Sequence, residues 1–170
     1  TCTLTARADR DALKCIRKTA ADNPGARIIV TGCLAERATD ELARMPGVWR
    51  IIPNSGKEDL AEAALAGFSG PQPETRPVRP RARAFLKVQD GGDRVCAFCI
   101  IPSVRGRSRS VPPARVREAV AVLAARGYRE VVLSGIHLGS YGRDFEPRAG
   151  LAELLAGLAS SEAGPWIRLS

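Results

Sequence analysis

Long apolar runs are missing from this 170-residue sequence, although 45% of its residues are hydrophobic. No stretch is long enough to span a bilayer and no secretory signal opens the chain, so we expect a cytoplasmic protein with no membrane partner. An initiating Met is missing too, because the sequence begins TCTLT and ends WIRLS. We therefore expect a piece cut at both ends from a longer protein, with room for one large or two small domains.

Histidine is also scarce, since His137 is the single one in the sequence. The five cysteines are an odd number, which argues against a disulfide framework. They indicate a reducing compartment in which thiolates serve as metal ligands. Cys15 lies within a helical pattern, and we expect it to be a small, partly buried residue.

The net charge of +8 is concentrated in one part of the sequence. Residues 67–110 carry nine Lys/Arg against three Asp/Glu, whereas residues 1–66 carry ten against nine and residues 111–170 seven against six. This local basicity favours an anionic partner such as nucleic acid. The alternative is an ordinary solvated basic linker.

Strands and helices alternate along residues 1–67, which we predict to be one domain. The pattern predicts helices in residues 8–25, 35–47 and 56–65, with strands at residues 27–33 and 48–52. Strands separated by helices of this length imply a parallel sheet with crossover connections.

Residues 68–82 hold four prolines interleaved with arginines, which predicts a linker between two domains. The second domain, residues 83–170, reads as a βαβαβ series with strands at 84–90, 128–140 and 165–170 and helices at 113–127 and 151–159. Functional loops in such folds lie at the carboxyl ends of the strands. Trp49 and Trp166 flank apolar strands, and we expect both in the core.

Cys96 and Cys99 form a Cys-x-x-Cys pair in the loop after the strand at residues 84–90. By spacing alone the pair could be half of a zinc site, a redox pair or part of an iron–sulfur site. Zinc would need two further ligands in a chain with one histidine. A redox pair would normally open a helix, whereas we expect a long Arg/Ser loop to follow here.

The residues around this pair carry a resemblance. The stretch FLKVQDGGDRVCAFCIIPSVRGRSRS, residues 85–110, resembles the cluster-binding loop of the radical S-adenosylmethionine methylthiotransferases. That loop reads Cys-x-x-x-Cys-x-x-Cys, then Ile-Pro and Arg-Gly-x-x-Arg-Ser. Cys96 and Cys99 match its second and third cysteines, and Phe98 matches the aromatic residue before the third. Further matches are TCTLTARADR and VTGCLAE in the first domain and VVLSGIHLGSYGRD in the second.

The resemblance implies an α/β protein: a partial amino-terminal methylthiotransferase domain followed by the first part of a radical S-adenosylmethionine (β/α) partial barrel. It implies two [4Fe–4S] clusters and S-adenosylmethionine as cofactors. Cys2 and Cys33 would bind the auxiliary cluster, and Cys96 and Cys99 the barrel cluster. Phe98, Ser134 and Gly135 would contact S-adenosylmethionine. No catalytic residue is assigned beyond the cluster ligands.

The implied activity is 2-methylthio transfer to N6-threonylcarbamoyladenosine next to the anticodon of tRNA. The opening TCTLTARADR favours this branch over those acting on isopentenyladenosine in tRNA or on a ribosomal protein. The implied partners are tRNA, an electron donor such as flavodoxin or ferredoxin, and a sulfur source. Beside the cysteine loop, three residues are candidates to guide RNA phosphates: Arg105, Arg107 and Arg109.

Position 92 departs from the family pattern, because Gly92 stands where the first cluster cysteine belongs. Three thiolates hold three irons of such a cluster, so we expect weak cluster binding or none. Two alternatives follow: a degenerate, non-catalytic RNA-binding relative, and a zinc-stapled interaction domain that uses Cys96 and Cys99. We expect His137 to be a hydrogen-bonded loop residue rather than a catalyst.

Overall fold

A computed structural model describes residues 1, 3–66, 82–94, 96–159 and 164–170. The chain divides into two compact units, one comprising Thr1–Pro73 with Ser103–Arg105 and the other Glu74–Pro102 with Gly106–Ser170. The described residues form two sheets, of two and four strands. The predicted linker at 68–82 lies outside the described residues except for Ala82, so the predicted domain limits stay predictions.

The first unit packs helices around two parallel strands. Its elements are α1 (Ala6–Asp22), β1 (Ile28–Thr31), α2 (Cys33–Arg37), α3 (Thr39–Ala43), β2 (Val48–Ile52), a 3-10 turn (Asn54–Asp59) and α4 (Leu60–Leu65). The strands pair in parallel, with Val30 opposite Ile51. The core is formed by residues from α1, β1, α2 and the α3 region: Ile16, Val30, Leu34, Ala35, Leu42 and Met45.

The helix predicted over residues 35–47 is two short helices instead. α2 begins earlier, at Cys33, and ends where Ala38 takes the non-helical dihedrals φ −125° and ψ 39°. The Thr39 hydroxyl donates a 2.7 Å hydrogen bond to the Ala35 carbonyl at this break. The change of direction lets both helices contribute to the core, with Leu34 from α2 and Leu42 from α3 almost fully buried.

The second unit contains the βαβαβ series that the sequence predicts. Its elements are β3 (Arg83–Asp90), the first two residues of α5 (Ile101–Arg105), β4 (Arg109–Ser110), α6 (Pro113–Ala125), β5 (Glu130–Gly135), a 3-10 turn (Leu138–Ser140), α7 (Leu151–Ala159) and β6 (Trp166–Leu169). The last three residues of α5, Ser103–Arg105, are counted with the first unit. The sheet order is β4-β3-β5-β6. β3, β5 and β6 are parallel, and β4 pairs antiparallel with the end of β3. The predicted α/β class is confirmed.

The packing of α6 and α7 against the sheet forms the second core. Its buried members come from two strands, two helices and one loop: Val88, Val131, Leu133, Val116, Val120, Leu154 and Tyr141. α6 starts at a proline, which suits the first turn of a helix. It ends at Ala125, two residues before Gly127, whose φ of +86° is a conformation that glycine adopts at little cost. Among the described helices, none is both long and apolar enough to cross a membrane.

Three burial predictions are wrong. Trp166 is 83% exposed at the start of β6, which is an edge strand of the sheet that the described residues form. Trp49 is 42% exposed, and the guanidinium of Arg27 lies 5.3 Å from its ring centroid, so the indole packs against a cation at the surface. Cys15 is exposed as well, next to the buried Ile16 on α1.

Candidate functional site

The cysteine loop of the second unit has both ends tied together. The backbone N–H of Gly92 donates to the Gly106 carbonyl at 3.0 Å. The Asp93 carboxylate accepts a 3.2 Å hydrogen bond from the N–H of Ser108. Gly91 has φ +72°, and a Cβ there would collide with the Arg107 carbonyl, so the close approach of the two loop ends requires glycine. The loop is therefore a closed ring at the carboxyl end of β3.

Cys96 and Cys99 lie in a turn of this loop, with the Cys99 N–H donating to the Cys96 carbonyl at 3.0 Å. Both thiols are exposed. α5 begins at Ile101, two residues beyond Cys99, so the expected long loop without a helix is wrong. Pro102 in its first turn explains the early start, because proline suits that position and its fixed φ is already helical.

A cavity of about 250 Å³ opens beside the cysteine pair. It is bounded by the cysteine loop, the start of α5 and the loop after β5, through Gly92, Asp93, Arg94, Cys96, Cys99, Ile101, Pro102, Ile136, His137, Ser140 and Arg143. The lining includes two arginines, the chain's single histidine and one aspartate. The balance favours an anionic or electron-rich ligand.

Gln89 joins the two loops that bound the cavity. It is 1% exposed, and its side-chain carbonyl accepts a 2.9 Å hydrogen bond from the His137 N–H. Its amide nitrogen donates toward three oxygens: the Asp90 carbonyl at 3.0 Å, the Gly91 carbonyl at 3.0 Å and the Ser108 hydroxyl at 2.9 Å. Two N–H groups are thus shared among three acceptors. This buried amide fixes the start of the cysteine loop relative to the loop after β5.

β4 and the residue after it, Val111, also form hydrogen bonds with the segment that follows β5. The Ser110 N–H donates to the Asp144 carboxylate at 2.8 Å, and the Ser110 hydroxyl accepts from the Gly142 N–H at 2.8 Å. The Tyr141 hydroxyl donates to the Val111 carbonyl at 2.6 Å. Burial raises the pKa of Tyr141, so this phenol stays a donor. Partial burial opposes ionisation of Asp144, but hydrogen bonds, chiefly from Ser110, lower its pKa overall.

The structure places the predicted S-adenosylmethionine contacts apart from the cavity lining. Phe98 is fully exposed at the tip of the cysteine loop. Ser134 and Gly135 end β5, before the residues that line the cavity. A Cβ at Gly135 would lie 3.0 Å from the Cβ and the side-chain oxygen of Gln89, which is a tight contact. The predicted cofactor roles of these residues stay predictions.

Two of the three arginines predicted to bind RNA are exposed. Arg107 is 92% exposed in its side chain and lies 3.4 Å from the Asp93 carboxylate. Arg109 is exposed in β4, and Arg105, at the end of α5, is partly buried. His137 lies in the loop after β5, where its backbone carbonyl accepts from the Ser140 hydroxyl at 2.8 Å. The predicted role of its imidazole stays a prediction.

In the first unit, Cys33 is buried at the start of α2, just beyond β1. Its N–H donates to the Thr1 carbonyl at 2.9 Å, and the Thr1 amino group donates to the Thr31 carbonyl at 2.6 Å. The Thr3 hydroxyl accepts from Arg37 of α2 at 2.9 Å. Cys2 lies outside the described residues, so its predicted role beside Cys33 in binding an auxiliary cluster stays a prediction.

The donors around the cavity do not fit a [4Fe–4S] cluster held by three thiolates. Cys96 and Cys99 are the thiols of its lining, and within the described part of the chain no three His, Cys, Asp or Glu residues are grouped as metal ligands. Position 92 nevertheless has space for a third ligand. A Cβ on Gly92 would meet only Ile101 Cγ2, at an ordinary 3.5 Å, and Gly92 has no positive φ.

Sequence reasoning missed Gln89, Arg94, Ile136 and Arg143 as residues of this site. Gln89 carried a usable signal, because it is a neutral polar residue in a strand directly before the cysteine loop. A polar side chain in such a strand must find buried hydrogen-bond partners, so it is a candidate to connect two loops. Arg94 and Arg143 had no comparable signal, since surface arginines are common.

The sequence is similar to a known family model and to characterised proteins. Residues 1–52 match the family model described as "Uncharacterized protein family UPF0004". The chain is 37% identical to threonylcarbamoyladenosine tRNA methylthiotransferase MtaB of Chlamydia pneumoniae, over 83% of this chain and 34% of that protein. It is 34% identical to MtaB of Aquifex aeolicus, over 100% of this chain and 45% of that protein.

A second kind of relative is also similar. The chain is 33% identical to ribosomal protein uS12 methylthiotransferase RimO of Chloroflexus aurantiacus, over 99% of this chain and 44% of that protein. The chain thus spans less than half the length of these relatives. Several relatives from different bacteria carry the MtaB name at 31–37% identity. The chain belongs to the methylthiotransferase family that includes MtaB and RimO.

Proposed function

We propose that this chain is part of a tRNA methylthiotransferase that adds a methylthio group to N6-threonylcarbamoyladenosine next to the anticodon. The main support for the proposal is the cavity at the carboxyl end of β3. Its lining includes Gly92, Cys96 and Cys99, the three positions at which the family pattern has its cluster cysteines. The names of the MtaB relatives favour this branch over the RimO branch. The opening TCTLTARADR favours it independently.

The proposal assigns a role to each group of residues. Cys96 and Cys99 would supply only two of the three thiolates that a barrel cluster needs, and Cys2 and Cys33 would supply two for an auxiliary cluster. Arg94 and Arg143 place positive charge at the cavity, where they attract anionic groups of S-adenosylmethionine or RNA. Arg107 and Arg109 contact RNA phosphates beside it. An electron donor such as flavodoxin or ferredoxin and a sulfur source complete the set of partners.

The missing third thiolate limits what the chain does as it stands. The C–H bond at carbon 2 of adenine is not opened by acid–base groups of ordinary pKa, so modification there depends on cofactor chemistry. Because the donors around the cavity do not complete a three-thiolate site, no cluster-dependent step is assigned to this sequence. Gly92 therefore favours a second candidate function, an RNA-binding relative that has lost catalysis.

Mass spectrometry of nucleosides separates the two functions. The gene would be expressed in a host that lacks its own methylthiotransferases, and total tRNA and ribosomal protein uS12 would be analysed. A methylthio adduct on N6-threonylcarbamoyladenosine supports the proposal, and an adduct on isopentenyladenosine or on uS12 moves the protein to another branch. Unmodified tRNA that nevertheless binds the purified chain supports the second function. A catalytically competent MtaB gene in the same host is the matched control.

A further inference from the structure

The solvent-facing side of α1 carries a row of positive charge. Five cations fall within an arc of about 100° at 3.6 residues per turn, and we call them the α1 basic stripe: Arg7, Arg10, Lys14, Arg17 and Lys18. The opposite side of the helix packs Ala12, Leu13 and Ile16 against the first core. The stripe is therefore held on a fixed support and faces outward.

All five side chains of the stripe are exposed. Arg7 has a distant partner, since its guanidinium lies 3.8 Å from the Asp11 carboxylate and both side chains are largely exposed. The other four cations form no ion pair with any residue in the described portion of the chain. Their charge is thus left for an external partner.

Folding alone does not account for the stripe. Arg10 and Lys14 are four residues apart, as are Lys14 and Lys18, and like charges at that spacing destabilise a helix. Arg7 and Arg10 also lie near the amino end of the helix, where the backbone dipole disfavours cations. A polyanionic ligand would relieve this repulsion.

The chemistry of the stripe fits a phosphate backbone better than a protein. Protein interfaces have an apolar centre, and no large hydrophobic side chain within Ala6–Asp22 is exposed. The stripe extends over eleven residue steps, or about 16 Å at the rise of an α-helix, which is enough to meet several phosphates. The net charge of residues 1–66 does not reveal the stripe, because nine acidic residues offset ten basic ones in that window.

We propose that the α1 basic stripe is a second RNA-contacting surface, which binds phosphates of the tRNA substrate independently of the arginines beside the cysteine loop. The partner rests on the proposed function, since that function names tRNA. The contact is electrostatic and carries no sequence readout, so it contributes affinity and orientation rather than base specificity. Binding through it releases counterions and is strongly salt-dependent.

The test measures tRNA affinity of the chain as a function of salt, with an unmodified tRNA transcript as the probe. The variant Arg10→Gln/Lys14→Gln/Arg17→Gln keeps residues of similar helix propensity and removes three charges. We expect the slope of log Kd against log salt to fall by about 2 to 3, and affinity at 0.1 M salt to fall on the order of a hundredfold. The matched control is Arg44→Gln/Arg50→Gln/Arg126→Gln, which removes three exposed cations elsewhere and should retain most of the slope.

Each outcome decides the inference. Loss of slope confined to the stripe variant supports it, provided that urea unfolding shows the variant to be at least as stable as the parent. An equal loss in the control shows a general charge effect and overturns it. Unchanged tRNA binding together with lost binding to an acidic protein assigns the stripe to a protein partner and also overturns it. A parent chain that fails to bind tRNA overturns it too, whatever modification is found in cells.

This test is separate from the test of the proposed function. Loss of slope in the stripe variant, found together with unmodified tRNA in cells, refutes only the catalytic proposal.

Discussion

The side-chain carbonyl of Gln89 accepts a 2.9 Å hydrogen bond from the backbone N–H of His137. Gln89 lies near the end of β3 and His137 in the loop after β5, so this bond spans two adjacent parallel strands at the edge where the cavity opens. The same amide donates to the Gly91 carbonyl and the Ser108 hydroxyl. The cavity's shape depends on one buried polar side chain.

Replacing Gln89 with leucine should destabilise the second unit by about 3 kcal/mol. The substitution keeps the volume similar but leaves the N–H of His137 and the carbonyl of Gly91 buried with fewer partners. Urea unfolding followed by fluorescence measures the change. Ser108→Ala removes one partner of the same amide and should cost about 1 kcal/mol. If Gln89→Leu proves no worse than Ser108→Ala, the amide does not hold the loops together.

The elements that sequence reasoning located best have strong boundaries on both sides. β2 and α7 match their predicted ranges because turn residues or glycine bound a clear apolar pattern. The break between α2 and α3 was not predictable, since Ala38 is a good helix former that tertiary packing takes out of the helix. Trp166 was misjudged because a strand's apolar content does not reveal that it ends a sheet.

The candidate site shows the same division between local pattern and distant contact. The cysteine spacing and its position after a strand were readable, because both are local. The contacts of Gln89 with Ser108 and His137 join residues 19 and 48 positions apart, and no local pattern encodes them. The α1 basic stripe was encoded locally, but a count of net charge over a long window cancels it.

Gly135→Ala should destabilise the second unit by about 1 kcal/mol, because the new methyl group would lie 3.0 Å from Gln89 and from Leu138. The matched control is Gly139→Ala, whose methyl group would meet the His137 ring at an ordinary 3.5 Å. Thermal unfolding of the two variants checks the difference. Equal stability of both would contradict the packing reason for Gly135.

Asp144→Asn should make the protein less sensitive to acid. The pKa of Asp144 is lower when folded than when unfolded, so its contribution is fully present above the unfolded pKa and is lost as pH falls through the folded pKa. The effect should stay below about 1 kcal/mol because the carboxylate is largely exposed. Urea midpoints at about pH 7 and about pH 3 measure it. Glu146→Gln removes the same charge two residues away, and a matching response from it would contradict the role of the Ser110 hydrogen bond.

Gly92→Cys should give the cavity a complete set of thiolates. The substituted Cβ meets Ile101 at an ordinary distance and needs no positive φ, so the change should not strain the loop. In the full-length gene product carrying Cys2→Ser and Cys33→Ser, we expect iron after anaerobic reconstitution to rise toward about four atoms per chain. Reductive cleavage of S-adenosylmethionine should appear with it. Metal analysis and detection of 5′-deoxyadenosine are the measurements.

Gly92→Ser is the control for that substitution, because serine fills the same space but provides no thiolate. It should hold no more iron than the Gly92 form, since hard oxygen donors are poor substitutes for thiolates on iron–sulfur clusters. Zinc bound by the Gly92 form in place of iron would favour the alternative in which Cys96 and Cys99 hold a structural zinc ion in an interaction domain. Should the Gly92 form already hold a full cluster and cleave S-adenosylmethionine, the three-thiolate requirement is wrong for this protein. Asp93 would then be the first ligand to test, because it lines the cavity beside Gly92 and Asp90 is not part of that lining.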